Sequence, residues 1–341
     1  MSSSPILNRR RLLQVLGMGG AALAMRDFLP LFSQKANATD GEPLYFLCCT
    51  FDGGWDQLLA LDPRDNTLWS DPEGSIYPAY DVLAGADSTL DALLTSNPSG
   101  LVRPGGSNIA FGPAVGRLAE GDLYQELCVV RGVNMGTLTH EVGKRYSLTG
   151  KFPRGLQASG SSLATVLVNG TGDGSTIPNL VVGMETYNEG LSSFASGLVI
   201  QSSQDLQQVL TPLGSPLSAS VNAALDAYLQ PSTQPCGYDR LDGNGQVTQY
   251  LSSRRKALQM VEADLGALFA FSATTTDPAL QALNAAFHLS STTNVANQQL
   301  AGAVGDAMIA AQAITHDVCQ AVSIRLASGI DHHDDSYLTD H

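Results

Sequence analysis

The residues best suited to chemistry crowd into one stretch, Gly329-Ile330-Asp331-His332-His333-Asp334-Asp335-Ser336-Tyr337-Leu338-Thr339-Asp340-His341. Three of the chain's six histidines lie there. They follow Ala321-Val322-Ser323-Ile324-Arg325-Leu326, whose alternation predicts a strand. Carboxylate and imidazole groups at the carboxyl end of a strand are a common way for an α/β sheet to present ligands to a crevice, and this donor set suits zinc, manganese or iron. The competing reading is a solvated polar tail.

Two further places offer partners. Asp52 stands after the apolar run Pro43-Leu44-Tyr45-Phe46-Leu47-Cys48-Cys49-Thr50 and before Gly53-Gly54, where the backbone can approach closely. It is placed either to hold a metal or to satisfy a strand-end turn, and Asp56 either to ligate or to cap a helix. Thr139-His140 opens an expected helix just after an apolar segment. There Thr139 is a nucleophile, a ligand or simply an N-cap, and His140 a ligand, an acid/base or an incidental first-turn residue. Lys144 and Arg145 could neutralise an oxyanion or line a solvated helix face. His288 and His316 sit alone in helical patterns and fit core or surface roles.

Several familiar chemistries are missing from the sequence. It has no G-x-S-x-G elbow, no P-loop and no H-E-x-x-H. Asp239 to Gly245 is similar to a calcium loop, but with Gly245 at the sixth position the first would be Arg240 and the twelfth Leu251, so it reads as a turn.

The elements that must position these residues alternate between strand and helix. Pro43–Thr50 predicts a buried first core strand and Glu126–Val133 a second. A third, Asn179–Met184, is entered through Pro178, and Cys319–Leu326 is the last. Helical spacing is expected over His140–Leu148, Ser162–Val168, Leu217–Leu229, Gln246 to about Phe271, and Ala279–His288. One long Ala/Gln-rich helix is expected from Asn294 to about His316. Residues 62 to 125, rich in Pro, Gly, Asp, Asn and Ser, read as an elaborated crossover with short helical pieces. This order predicts an α/β fold with a mostly parallel sheet flanked by helices.

The first residues look like an address and not like fold. Asn8-Arg9-Arg10-Arg11-Leu12-Leu13-Gln14 fits a twin-arginine signal, Val15 to Met25 is an apolar core too short to span a bilayer, and Ala36-Asn37-Ala38 is an A-x-A cleavage site. Residues 1–38 are therefore expected to be a signal peptide and 39–341 one α/β domain. The expected route is the twin-arginine export machinery and the destination the periplasm or the exterior, with no integral membrane segment after cleavage. Removing five basic residues (Arg9, Arg10, Arg11, Arg26, Lys35) and one acid (Asp27) moves the formal charge from −14 to −18. Such acidity argues against nucleic acid or anionic membrane partners and favours cations.

Five cysteines, Cys48, Cys49, Cys128, Cys236 and Cys319, form no C-x-x-C pair. Most lie in apolar runs and are expected as small core residues rather than as a disulfide framework.

A set of blocks in this order resembles the exported domain-of-unknown-function 1501 family. They are the twin-arginine signal, Phe51-Asp52-Gly53-Gly54-Trp55-Asp56, Leu127–Gly132 with Thr139-His140 and Thr149-Gly150, Ser161-Ser162-Leu163-Ala164 with Ile177-Pro178, and Val322-Ser323-Ile324 with Asp331-His332-His333. That family is similar to the alkaline phosphatase and sulfatase superfamily, in which a metal-bound sheet edge carries the nucleophile. The resemblance implies an alkaline-phosphatase-like core, with Asp52, Asp331 and His333 as metal ligands and Thr139 or His140 at the nucleophile position. Counting back from Thr149-Gly150 reaches His140, and a one-residue shift reaches Thr139. It further implies a divalent metal (zinc, manganese, calcium or iron not distinguished) and a small anionic ester substrate. The Glu-Phe-Gly-Arg and Asp-His segments with which such proteins continue are absent here, so the expectation is a C-terminally incomplete core. Two functions follow: a metal-dependent phosphate or sulfate ester hydrolase, or a non-catalytic exported binding or assembly protein that keeps the fold.

Overall fold

Among the described residues four strands lie parallel, in the order β1-β4-β2-β3, with β1 at Phe46–Gly54, β2 at Ile177–Val182, β3 at Leu198–Ile200 and β4 at Cys319–Asp331. The computed structural model describes residues 44–54, most of 101–112, 124–211 except Asp173, and 265–331, with isolated positions between them. Leu180 pairs with Leu198 of β3 and with Val322 of β4, so β2 and β4 are interior strands. Side chains of β2 and of the first half of β4 are almost wholly buried, as expected for strands covered on both faces, while β4 becomes part-exposed from Arg325 onward.

Helices cover the sheet because alternate strand residues point to opposite faces. On one face Leu180, Val182, Val322 and Ile324 pack with Ile309, Ala310 and Ala313 of helix α6 (Ala303–Thr315) and with Leu206 and Leu210 of α3 (Ser203–Leu210). Each fully buried Leu or Ile here contributes roughly 1.5–3 kcal/mol. On the other face Ala321 meets Ala164 and Val168 of α2 (Leu163–Thr171), with Phe46 of β1 packed alongside. A short 3-10 turn at Leu265–Phe269 belongs to the first face. The Gln312 amide donates to the Leu268 carbonyl at 3.0 Å and the Gln207 amide to the Phe269 carbonyl at 2.6 Å, so both carbonyls are satisfied at its end.

The remaining described helices are α1 (His140–Thr149), α4 (Pro278–Ala286) and α5 (Thr293–Leu300). Asp277 caps α4, accepting from the Ala279 backbone N–H at 2.8 Å, and Pro278 follows at a position where no N–H is needed. Contacts divide the chain into two compact units. The first comprises the described residues of Met1–Thr50 and Lys144–Leu326, the second those of Phe51–Gly143 and Ala327–His341. The second contains a small antiparallel bridge, Val102 with Phe111, around a buried Phe111 and Leu101.

The structure corrects several expectations. β1 is not a buried core strand: it is a sheet edge whose residues alternate between half-buried and exposed, and it runs on through Asp52-Gly53-Gly54. Leu127–Val133 follows a short 3-10 turn and forms no strand, and Leu127, Val130 and Val133 stay exposed. The single helix expected from Asn294 to His316 is two, α5 and α6, divided at Ala301-Gly302. A Cβ on Gly305 would lie 2.0 Å from the Leu300 carbonyl oxygen, so this sharp break requires glycine in the first turn of α6. Of the described cysteines only Cys319 is a core residue, with Cys48 half-buried and Cys49 and Cys128 exposed. The crossover and helices expected over 62–125 and 246–264 lie largely outside the described residues, as do Cys236 and most of Leu217–Leu229. Within the last of these, Ser220, Val221, Ala223, Ala224 and Ala227 are helical. No helix among the described residues is long and apolar enough to cross a membrane.

Candidate functional site

Asp52, Thr139, His140 and Asp331 lie in the second unit. Asp52 is half-buried in β1, and after it the strand makes its closest approach to β4. Gly53 adopts φ +139°, and a Cβ on it would stand 2.7 Å from the Ile330 carbonyl carbon. Only glycine fits that spacing. At the next residue a Cβ on Gly54 would lie 3.0 Å from Asp331 Oδ1, so the absent side chain leaves room beside that oxygen.

His140 reaches the other oxygen of Asp331. His140 Nε2 lies 2.9 Å from Asp331 Oδ2, a separation of 191 residues in the chain, with side-chain exposures of 47% and 35%. Two sequence-predicted residues are thus brought together: the last residue of β4 and the first of α1. The local chain builds this position. Thr137 Oγ1 accepts from the Thr139 backbone N–H at 3.1 Å, and the Thr139 carbonyl accepts from Gly143 N–H at 3.0 Å, so α1 begins immediately at His140. Thr139 itself is exposed at this helix start.

A carboxylate accepting from one imidazole nitrogen fixes the ring's orientation and tautomer. In the tautomer in which Nε2 donates to Asp331 Oδ2, Nδ1 is the ring nitrogen without a proton. The same two side chains have the donor chemistry of a divalent cation site, and the space at Gly54 lies on the Oδ1 side of Asp331. Among the described residues, no group of three or more His, Cys, Asp or Glu side chains gathers at ligand spacing. His333 lies outside the described residues.

The first unit holds a network that sequence reasoning missed, built on Glu185 and Tyr187. Arg145, with only 15% of its side chain exposed, meets Glu185 through Nε and Nη2, both at 3.3 Å, as a two-pronged pair. It also donates from Nε to Tyr187 Oη at 3.2 Å and from Nη1 to the Leu156 carbonyl at 2.6 Å, while the Tyr187 hydroxyl donates to Glu185. Arg145, considered from sequence as an oxyanion partner, is committed to this network. Ser161 and Ser162 join the same loop: Ser162 Oγ accepts from Tyr187 N–H and Ser161 Oγ from Glu189 N–H. Thr149 is buried and donates back to the Arg145 carbonyl at 2.9 Å, which closes α1 before Gly150 at φ +66°. Its signal in the sequence was Thr-Gly, a helix end. Glu185 and Tyr187 carried no periodic signal because they lie in the irregular segment after β2. His288 and His316 are both exposed, each just beyond a helix end.

No family model matches this chain, and no curated protein or solved structure does so either.

Proposed function

We propose that the chain is an exported, metal-dependent hydrolase of phosphate or sulfate esters, related by resemblance to the domain-of-unknown-function 1501 family and to alkaline-phosphatase-like enzymes. The observation that carries the reading is the His140–Asp331 pair at 2.9 Å, set beside the side-chain-free Gly54 at the ends of two parallel strands. Crevices outside the carboxyl ends of such strands are the usual ligand positions of α/β sheets.

Asp331 with Asp52 and His333 would hold the cation, and zinc, manganese, calcium and iron all remain open. When bound, the metal supplies Lewis-acid stabilisation of charge on the ester oxygens. The chain's own groups do the rest. Asp331 Oδ2 orients the His140 ring, Nδ1 of His140 takes or returns a proton, and Thr139 at the helix start offers a hydroxyl where the backbone field favours an anion. The sequence reading of export through the twin-arginine machinery to the periplasm or exterior belongs to this proposal, as does an acidic surface that excludes nucleic acid as a partner.

The test is metal content and ester turnover of the purified full-length protein with its His140→Ala, Asp331→Asn and Thr139→Ala variants. Loss of bound metal in Asp331→Asn, with turnover reduced about 100-fold or more in that variant and in His140→Ala, is the expected result. Metal-free protein with no turnover would sink it. The second reading, a non-catalytic binding or assembly protein, is favoured by the nucleophile position, where the count back from Thr149-Gly150 reaches His140, not a standard nucleophile. Turnover abolished by Thr139→Ala would rule that reading out.

A further inference from the structure

In a chain with 32 acidic residues, none occurs between Glu141 and Asp173, whereas Lys144, Arg145, Lys151 and Arg154 all do. This segregation coincides with an apolar projection in the first unit. Arg154 and Gln157 exchange backbone hydrogen bonds, Arg154 N–H to Gln157 O at 2.9 Å and Gln157 N–H to Arg154 O at 3.1 Å, closing a two-residue turn. Gly155 at φ +62° supplies the left-handed conformation that such a turn needs. Leu156 is displayed in this turn at 69% exposure and Phe152 just before it at 55%.

The projection is rigid where rigidity counts. Arg145 holds the Leu156 carbonyl, Tyr146 meets the Phe152 ring edge-on with centroids 5.6 Å apart, and Pro153 between them is buried. Arg145 is neutralised by Glu185, but Lys151 and Arg154 are exposed and form no ion pair among the described residues. Exposed Leu and Phe flanked by exposed cations have the chemistry of a segment that enters a bilayer interface, with its rings and methyls among acyl chains and its cations at the phosphates. Of the acids that the fold brings to this segment, Glu185 is paired with Arg145 and Glu189 accepts from the Gly160 N–H beside the Lys151 side chain, while acids beyond a Debye length of about 8 Å are screened at physiological salt.

We propose that the Lys151–Leu156 turn docks this protein on anionic lipid surfaces, inserting Leu156 and Phe152 while Lys151 and Arg154 bind headgroup phosphates. The inference is independent of the ester-hydrolase reading, since none of its residues belongs to that site.

The experiment is sedimentation of the full chain with phosphatidylcholine vesicles with and without phosphatidylglycerol, alongside Lys151→Glu/Arg154→Glu and Phe152→Ser/Leu156→Ser. Comparison with the unaltered chain cancels any segment common to all three. Both doubly substituted chains change exposed side chains, and a thermal melt checks their folding. The expected result is binding to phosphatidylglycerol vesicles, weakened roughly thirtyfold by the charge reversal and roughly tenfold or more by the serines, and declining with salt. Brominated acyl chains should quench a Leu156→Trp variant above the unaltered background. Equal binding by all chains, or no added quenching, overturns the proposal. So does self-association by analytical ultracentrifugation that the serine variant abolishes, because a second copy would then be the occupant. Displacement of the vesicle signal by polyglutamate, with no quenching of the Leu156→Trp variant, would assign the turn to an acidic protein partner instead.

Discussion

Gly53 faces the backbone of Ile330 with no room for a side chain, since its missing Cβ would lie 2.7, 2.8 and 2.9 Å from the Ile330 C, O and N atoms. Backbone cannot swing aside as a flexible side chain does, and φ +139° is itself unfavourable for L-residues. Gly53→Ala is expected to cost about 1–3 kcal/mol, read from chemical denaturation. Alanine tolerated within about 0.5 kcal/mol would mean that the two strand ends are not this close.

Asp306, in the first turn of α6, has its carboxyl pushed up from 3.8 to about 6 by burial, and Arg325 offsets this only in part. The folded state therefore holds this proton more tightly than the unfolded chain, and stability is lost as pH rises from about 4 through about 6. Asp306→Asn should remove that loss. The variant is expected to gain on the wild type by about 1 kcal/mol across this window, a value discounted because the carboxyl is partly solvated. Parallel denaturation curves at pH 4 and 7 provide the check.

Glu185 shifts in the opposite direction. The Tyr187 hydroxyl, followed by Arg145, holds its carboxyl below the usual range against the effect of burial. The resulting stability is present above the ordinary carboxylate pKa and disappears as pH falls through the lowered one. Between pH 6 and 3 the thermal midpoint of Glu185→Gln should fall less steeply than that of the wild type, and Tyr187→Phe should give an intermediate slope. Superimposable slopes would remove the network from the acid response.

Thiol accessibility is expected to divide cleanly. Cys49 and Cys128 are exposed, whereas burial pushes the Cys319 thiol far above its usual range and encloses it in the sheet core. Native alkylation followed by peptide mapping should label Cys49 and Cys128 within minutes, Cys48 more slowly, and Cys319 only after unfolding. Native labelling of Cys319 would contradict the packing of β4 against α6.

Local patterns made the interior legible in the sequence. The continuous apolar run at Leu180–Val182 and the helical spacing through Val304, Met308 and Ala311 each satisfied one periodicity. Leu127–Val133 misled for a physical reason: its β-branched residues match a strand, but strand formation needs a neighbour, and none pairs with it among the described residues. β3 and α3 went unread although Ser202 and Asp205 carried a cap signal, the Ser202 hydroxyl accepting from Asp205 N–H at 3.2 Å. At the site, Asp52, His140 and Asp331 stood out by residue type and position. Their partnership did not, because a contact across 191 residues is set by strand order and leaves no periodic trace.

That strand order also bears on how the chain is made. β1 takes β4 as its sheet neighbour, and the Thr50 hydroxyl donates to the Ile324 carbonyl across 274 residues. At about 5–20 residues per second, a ribosome needs roughly 14–55 s to travel from one to the other. For that interval the first strand has left the exit tunnel without its partner, with Leu47 and Phe51 available to any passing edge. Chaperone occupancy on nascent chains should therefore begin at β1 and persist until β4 emerges.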